Sequence, residues 1–206
     1  MSGSFPISNA KFQTLGIQSQ VDTLMSKSIS GKKLVRQIGT QRFGFTAEII
    51  VAKRSDVYGE LMAFVIQQRG SKENFTIIPP EVKNTRGSET GTVLVNGVHN
   101  VGDNTIAMDA FAGDGAGRFK AGDLIKFASH TKVYMIVSDV TSSSNAATVT
   151  IEPPLISALT DNSVVTYSNV PFTVHLVNDV QEFGGIGADK DGNVLYKFEL
   201  DVEESI

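Results

Sequence analysis

Val194-Leu195-Tyr196-Lys197-Phe198-Glu199-Leu200-Asp201-Val202 decides the fold class. Val194, Tyr196, Phe198, Leu200 and Val202 fall on one side of an extended chain, and Leu195, Lys197, Glu199 and Asp201 on the other, the period of two of a half-buried strand. The same alternation recurs at Phe45, Ala47, Ile49 and Val51, at Ala147, Val149 and Ile151, and at Phe172, Val174 and Leu176. Each run is bounded by turn formers, so the chain reads as mainly antiparallel β.

One segment departs from that period. Val57, Leu61, Phe64 and Val65 recur at helical spacing, Ser55 can cap, and Gly70 stands where a left-handed C-terminal residue is wanted. The spacing predicts one helix over about 55–69. Gly59 inside it costs about 1 kcal/mol relative to Ala, so the helix must gain its stability by packing its apolar stripe on a sheet.

Pro79-Pro80 and the turn-rich Lys83-Asn84-Thr85-Arg86-Gly87-Ser88 mark a boundary. Short strands follow: Thr92 to Val95 with the Asn96-Gly97 turn, Thr105 to Met108, Leu124 to Phe127, Val133 to Val137, Ala147 to Ile151 and Val164 to Tyr167. Such spacing predicts a small barrel. After Pro171 longer strands return over 172–182 and 193–203, joined through Gly184-Gly185 and Asp191-Gly192-Asn193. The economical organisation is a discontinuous β domain of residues 1–80 and 170–206, with a small β-barrel domain inserted over 83–168.

Composition narrows the function. The 206 residues hold 18 Lys and Arg against 22 Asp and Glu, a net charge of −4, whereas a chain that lives on nucleic acid needs a basic excess to neutralise phosphates. There is no cysteine, which excludes disulfides, thiolate-bound metals and thiol catalysis. The longest apolar run, Leu61 to Ile66, is six residues, where a membrane-spanning helix needs about 20. The opening Met-Ser-Gly-Ser-Phe-Pro-Ile lacks a basic-then-apolar secretory pattern, so the expectation is a product made in the cytoplasm without a leader or membrane span.

Candidate chemistry is sparse. His99, His130 and His175 lie far apart without a partner at helical metal spacing, and no Gly-x-Ser-x-Gly elbow occurs. Gly113-Asp114-Gly115-Ala116-Gly117 leads into a strand rather than a helix, so it reads as a loop or hairpin tip and not a phosphate cradle. Ser30-Gly31-Lys32-Lys33 reads as a β-turn. Asp189-Lys190-Asp191-Gly192-Asn193 imitates the start of a calcium loop, but without flanking helices it reads as a hairpin turn. Asn74-Phe75-Thr76 matches the glycan acceptor pattern inside a predicted strand and is set aside. No catalytic, cofactor or metal residue is assigned.

Charge is unevenly distributed. Lys27, Lys32, Lys33, Arg36 and Arg42 share a 16-residue stretch with no acidic residue, and residues 179–204 are strongly acidic. Such a pair is an ordinary solvated surface or, more sharply, two faces that meet head to tail in a ring of identical subunits.

Phe5-Pro6-Ile7-Ser8, Gly31-Lys32-Lys33, Gly39-Thr40-Gln41-Arg42-Phe43, Gln67-Gln68-Arg69-Gly70 and Phe75-Thr76-Ile77-Ile78-Pro79-Pro80 resemble tailed-bacteriophage tail proteins, most closely the tail-tip group of distal tail proteins. Within the insert, Lys120 to Phe127, Lys132 to Val137 and Ala147 to Pro154 are similar to a barrel module of phage virion proteins. The resemblance implies a tail-tube-like β-sandwich or split-barrel domain with one packed helix, and a subunit of a ring, commonly a hexamer, in the virion tail tip or baseplate. Its partners would be other copies of itself, the tail tube protein, and the tail hub and fibre-attachment proteins. By the same resemblance it would need no cofactor and would not be an enzyme. Interface candidates are Phe5, Phe12 and Leu15 in the N-terminal arm, Arg36 and Arg42 on the basic face, and Glu199, Asp201 and Glu203 on the acidic one. Ordinary core packing is the equal alternative for the phenylalanines.

Three other readings remain at this point. A tail tube or tube-initiator subunit would share the sheet and helix but polymerise. A glycan-binding receptor module would need aromatic platforms, for which the insert offers only Tyr134 and Tyr167. A peptidoglycan hydrolase would need paired carboxylates or a zinc site in a cleft.

Overall fold

The computed structural model describes residues 3–6 and 12–206; Ile7 and Ser8 of the N-terminal motif lie outside the described residues. In chain order the strands are β1 (Phe12–Gln20), β2 (Thr23–Lys27), β3 (Lys33–Gln37) and β4 (Arg42–Lys53), then helix α1 (Gly59–Gln67) and β5 (Phe75–Ile77). Next come β6 (Leu94–Val95), β7 (Thr105–Asp109), β8 (Gly115–Ala116), β9 (Leu124–Phe127), β10 (Val133–Ile136), β11 (Thr141–Ser142), β12 (Ala147–Glu152) and β13 (Val165–Thr166). The chain ends with β14 (Phe172–Leu176), β15 (Gly184–Ala188) and β16 (Val194–Glu204). The fold is mainly β, as the alternation predicts. It divides into two compact units, Met1–Phe75 with Val174–Glu204, and Thr76–Thr173 with Ser205–Ile206.

One sheet runs β1-β4-β16-β14-β5, with β15 also paired to β16. The ladder between β4 and β16 sets Phe45 opposite Val202, Ala47 opposite Leu200 and Ile49 opposite Phe198, so one face carries all six side chains into the core. That burial is the main stabilisation, at about 1.5–3 kcal/mol for each large apolar side chain. The alternation is interrupted where the ladder slips between Tyr196 and Phe198, and Val194 at the strand's start is exposed.

The helical segment begins at Arg54, as one wide π-type turn over Arg54–Tyr58 that passes into α1. Ser55 therefore does not cap it: Lys53 stands at the N-cap, and the Ser55 hydroxyl turns to the Asp56 carboxylate. Leu61 and Val65 are buried, and the Tyr58 hydroxyl donates to the carbonyls of Ile49 and Ile50 at 3.3 and 2.9 Å, pinning the helix start to β4. The left-handed turn at the far end begins one residue earlier than expected, at Arg69 (φ 57°), and continues through Gly70 (φ 70°). Gly70 is needed there on two counts, since an added Cβ would also press on the Asp179 carboxylate that accepts the Ser71 amide and hydroxyl.

One element is corrected outright. Gly184-Gly185 is no turn but the start of β15, which pairs along β16 from Gly184–Lys197 to Ala188–Val194. Three glycines in five residues read as a break because glycine weakens a strand. Here its small size is used, since a Cβ on Gly185 would lie 3.2 Å from the Val194 side chain. The turn that closes this hairpin is Asp189 to Asn193, with Gly192 at φ 80°.

In the second unit six strands follow the order β13-β9-β10-β12-β7-β6. The ends are joined by an antiparallel bridge between Leu94 and Val164, with Val165 N–H donating to Val93 O at 3.0 Å and Val95 N–H to Ser163 O at 2.9 Å. The result is a nearly closed small barrel, which leaves no long open edge in this sheet. Ile106, Met108, Ile125, Phe127, Tyr134, Ile136, Val149 and Ile151 fill it, all without measurable exposure. Gly115–Ala116, expected as part of a loop tip, forms a short ribbon with β11 instead. The Asp123 carboxylate knots the entrance of the unit together, accepting the amides of Arg86 (2.7 Å) and Lys120 (2.8 Å) and the Thr85 hydroxyl.

Candidate assembly surface

Phe5 is a core residue. It is 3% exposed, stacks on Phe12 and Phe75 with ring centroids 6.0 and 6.2 Å away, and meets Phe64 edge-on at 5.7 Å. Phe12 and Leu15 are half-buried on β1, opposite Ile49 and Ala47, so they extend the core face outward toward the sheet's edge. Beyond β1 no further strand pairs among the described residues. Among the described residues this nine-residue strand is therefore an edge of the sheet, a surface that proteins protect or cover.

Glu199, Asp201 and Glu203 fall in a column on the outer face of β16, as strand alternation requires. Arg42 lies on that same face, and its guanidinium pairs with Glu203 at 3.0 Å. A chain of polar contacts continues across the sheet: Gln18 Nε2 donates to Thr46 Oγ1 at 2.9 Å, Thr46 donates to Asp201 at 3.3 Å, and Lys197 pairs with Glu48 at 3.0 Å. Arg42 and Glu203 therefore do not sit on two opposing faces; each neutralises the other within one subunit. The carboxylates of Glu182 and Glu199 have no ion-pair partner among the described residues. With Asp201 and Lys197 they line a groove of about 540 Å³ between β16 and the segment Asn178 to Ile186.

Arg36 lies elsewhere, on a two-stranded arm. Strands β2 and β3 pair from Thr23–Gln37 to Lys27–Lys33. The turn reading of Ser30-Gly31 holds: Gly31 has φ 81°, and its amide donates to Ser28 O at 2.9 Å. The arm prolongs the β1–β4 ladder past its end through the Ile38 to Asp22 backbone bond. Every residue from 21 to 38 is exposed. Met25 opposite Val35 puts an apolar pair on one face, beside Lys27 opposite Lys33, while Leu24, Leu34 and Arg36 look out of the other. The adjacent apolar pairs Leu24-Met25 and Leu34-Val35 carried this signal in the sequence, since neighbours on a strand point to opposite faces and both faces then ask for cover.

His99, His130 and Asp189 each hold local structure. His99 Nε2 accepts the Ala107 amide at 3.2 Å. Buried His130 accepts the Tyr134 hydroxyl at Nδ1 (2.8 Å) and points Nε2 at Ala158 O (3.5 Å), and burial pushes its pKa below the usual value. Asp189 holds its own turn by accepting the Asp191 and Asn193 amides, and with Lys53 beside it the carboxyl lies well below the usual range. No cluster of three or more metal-ligating side chains occurs among the described residues, and no helix is long and apolar enough to cross a membrane. In the barrel, the glycan alternative loses its platforms. Tyr134 is fully buried, and Tyr167 packs on Phe119 with its hydroxyl donating to Gly91 O.

Comparison with known proteins bears on the barrel. Residues 81–170 match the family model described as distal tail protein pb9, B domain. That segment is a little under half of the chain and contains the six-stranded barrel. The chain is thus similar to a phage distal tail protein, in agreement with the resemblance carried by the sequence motifs. A search of curated proteins finds no match.

Proposed function

We propose that this chain is a structural subunit of a phage tail tip, a distal tail protein that assembles as a ring, commonly six-fold, between the tail tube and the hub and fibre-attachment proteins. The observation that carries this reading is the match of residues 81–170 to a distal tail B domain. Supporting it, the first unit combines a sheet-and-helix body with a free edge strand and an uncovered arm, features that association would satisfy. The role is mechanical: a ring buries edges and arms that one copy leaves open, and the barrel adds a compact module to each subunit. Its place is the virion, after synthesis in the host cytoplasm.

Mass in solution over a concentration series, with negative-stain images of the same fractions, tests this. Rings of fixed order with a central hole are the expected result. Long tubes would reassign the chain to a tube or tube-initiator subunit, and clear muralytic activity would overturn the structural reading.

A further inference from the structure

From the unpartnered arm and the acidic groove, we infer that the β2–β3 arm of one copy lies in the groove between β16 and residues 178–186 of a second copy. The inference rests on the ring reading and adds which surfaces meet. Three observations converge on it. Residues 21–38 are exposed throughout, and an isolated two-stranded ribbon with apolar side chains on both faces is at best marginally stable in water. The arm thus needs a surface to lie on. Its charge is wholly basic, with Lys27, Lys32, Lys33 and Arg36 and no acid between residues 23 and 37.

The groove is its electrostatic complement. Glu182, Glu199 and Asp201 line it, and its one cation, Lys197, is engaged by Glu48. Val180 and Ile186 on the same wall are 76% and 53% exposed, giving the arm's Met25 and Val35 apolar partners. Arg42 and Glu203 do not enter this complementarity, because they are already paired in each subunit. What is left over is arm-positive and groove-negative. A copy that offers its arm at one side and its groove at another makes a head-to-tail contact, which closes into a ring when the rotation permits.

A charge exchange tests it on the full chain. Lys27→Glu with Lys33→Glu, which share the arm's Met25 and Val35 face, or Glu182→Lys with Glu199→Lys, should each raise the concentration needed for rings by about tenfold or more, through like-charge juxtaposition. The four changes together should restore assembly toward that of the original chain. All these positions are exposed, so melting of the unassembled subunit should stay unchanged and separates lost contact from lost folding. Because the chain has no cysteine, Lys33→Cys with Glu199→Cys adds an independent readout, a disulfide between chains under oxidising conditions. Rings that form equally in both charge-reversed variants would overturn the arm contact and leave the ring reading standing. Loss in the arm variant without rescue in the four-fold variant would mean that the arm binds something other than this groove. A wild-type chain that stays monomeric throughout would overturn the inference together with self-assembly.

Discussion

The barrel and the arm are built from the same material, strands of two to six residues joined by tight turns, and they end in opposite conditions. In the barrel, six strands close through the Leu94–Val164 bridge, and each inward residue finds neighbours on every side. In the arm, two strands of five residues pair only with each other, and Leu24, Met25, Leu34 and Val35 remain 53–61% exposed. Backbone pairing is equally regular in both. The difference lies in whether a second layer covers the side chains, and it is burial rather than the ladder that makes a small β unit stable by itself.

The largest break in this contrast should come from inside the barrel. Glu89 is buried, with Oε1 accepting the Gly91 and Ala112 amides and Oε2 facing the Arg118 guanidinium at 3.7 Å. Replacing Arg118 by Met removes the charge that faces that buried carboxylate and leaves only its two amide bonds, which costs up to about 3 kcal/mol. Denaturant unfolding followed at the barrel should show the loss, with no matching change when Arg36 on the arm is replaced the same way.

An intermediate effect is expected from pH. Burial lowers the pKa of His130 below its ordinary 6.5, so the folded barrel holds it neutral while the unfolded chain takes up a proton. Stability from this site is therefore complete above about pH 6.5 and falls as pH drops through that value toward the lower folded pKa, by up to ~1.4 kcal/mol per pH unit. Thermal melts between pH 7.5 and 5 should flatten in a His130→Gln variant. An unchanged slope would remove His130 as the source.

The smallest effect belongs to the arm. Met25→Ser with Val35→Ser should alter the stability of the unassembled subunit by no more than about 0.5 kcal/mol, as substitutions at uncovered surface sites do. A larger loss, read by chemical denaturation, would mean that the arm is held down within its own subunit after all.

Much of this was legible along the chain. Phe198, Leu200 and Val202 announced their strand by alternation, Ser30-Gly31 and Asp191-Gly192 announced their turns, and the barrel strands were marked by short apolar runs between turn formers. Helix α1 was visible in Leu61 and Val65, with its start near residue 55, although the π form of its first turn was not, because Ser55 has the chemistry of a cap while in the fold its hydroxyl turns to Asp56. Strand β15 was hidden because Gly184, Gly185 and Gly187 carry no side-chain pattern to read; its ladder with β16 exists only once the two segments meet.

The candidate surface divides along the same line. Acidic alternation at Glu199, Asp201 and Glu203, and the basic run from Lys27 to Arg42, are properties of sequence alone, since strand period puts i and i+2 on one face wherever the strand goes. The sequence by itself also determined the mainly β class and the absence of cysteine chemistry. Tertiary structure alone decided that Phe5 belongs to the core, that Arg42 and Glu203 neutralise each other, and that Arg36 stands on an uncovered arm. The physical reason is that charge and burial depend on what lies within a few ångströms, and residues 161 positions apart, such as Arg42 and Glu203, become neighbours only when the ladder between β4 and β16 forms.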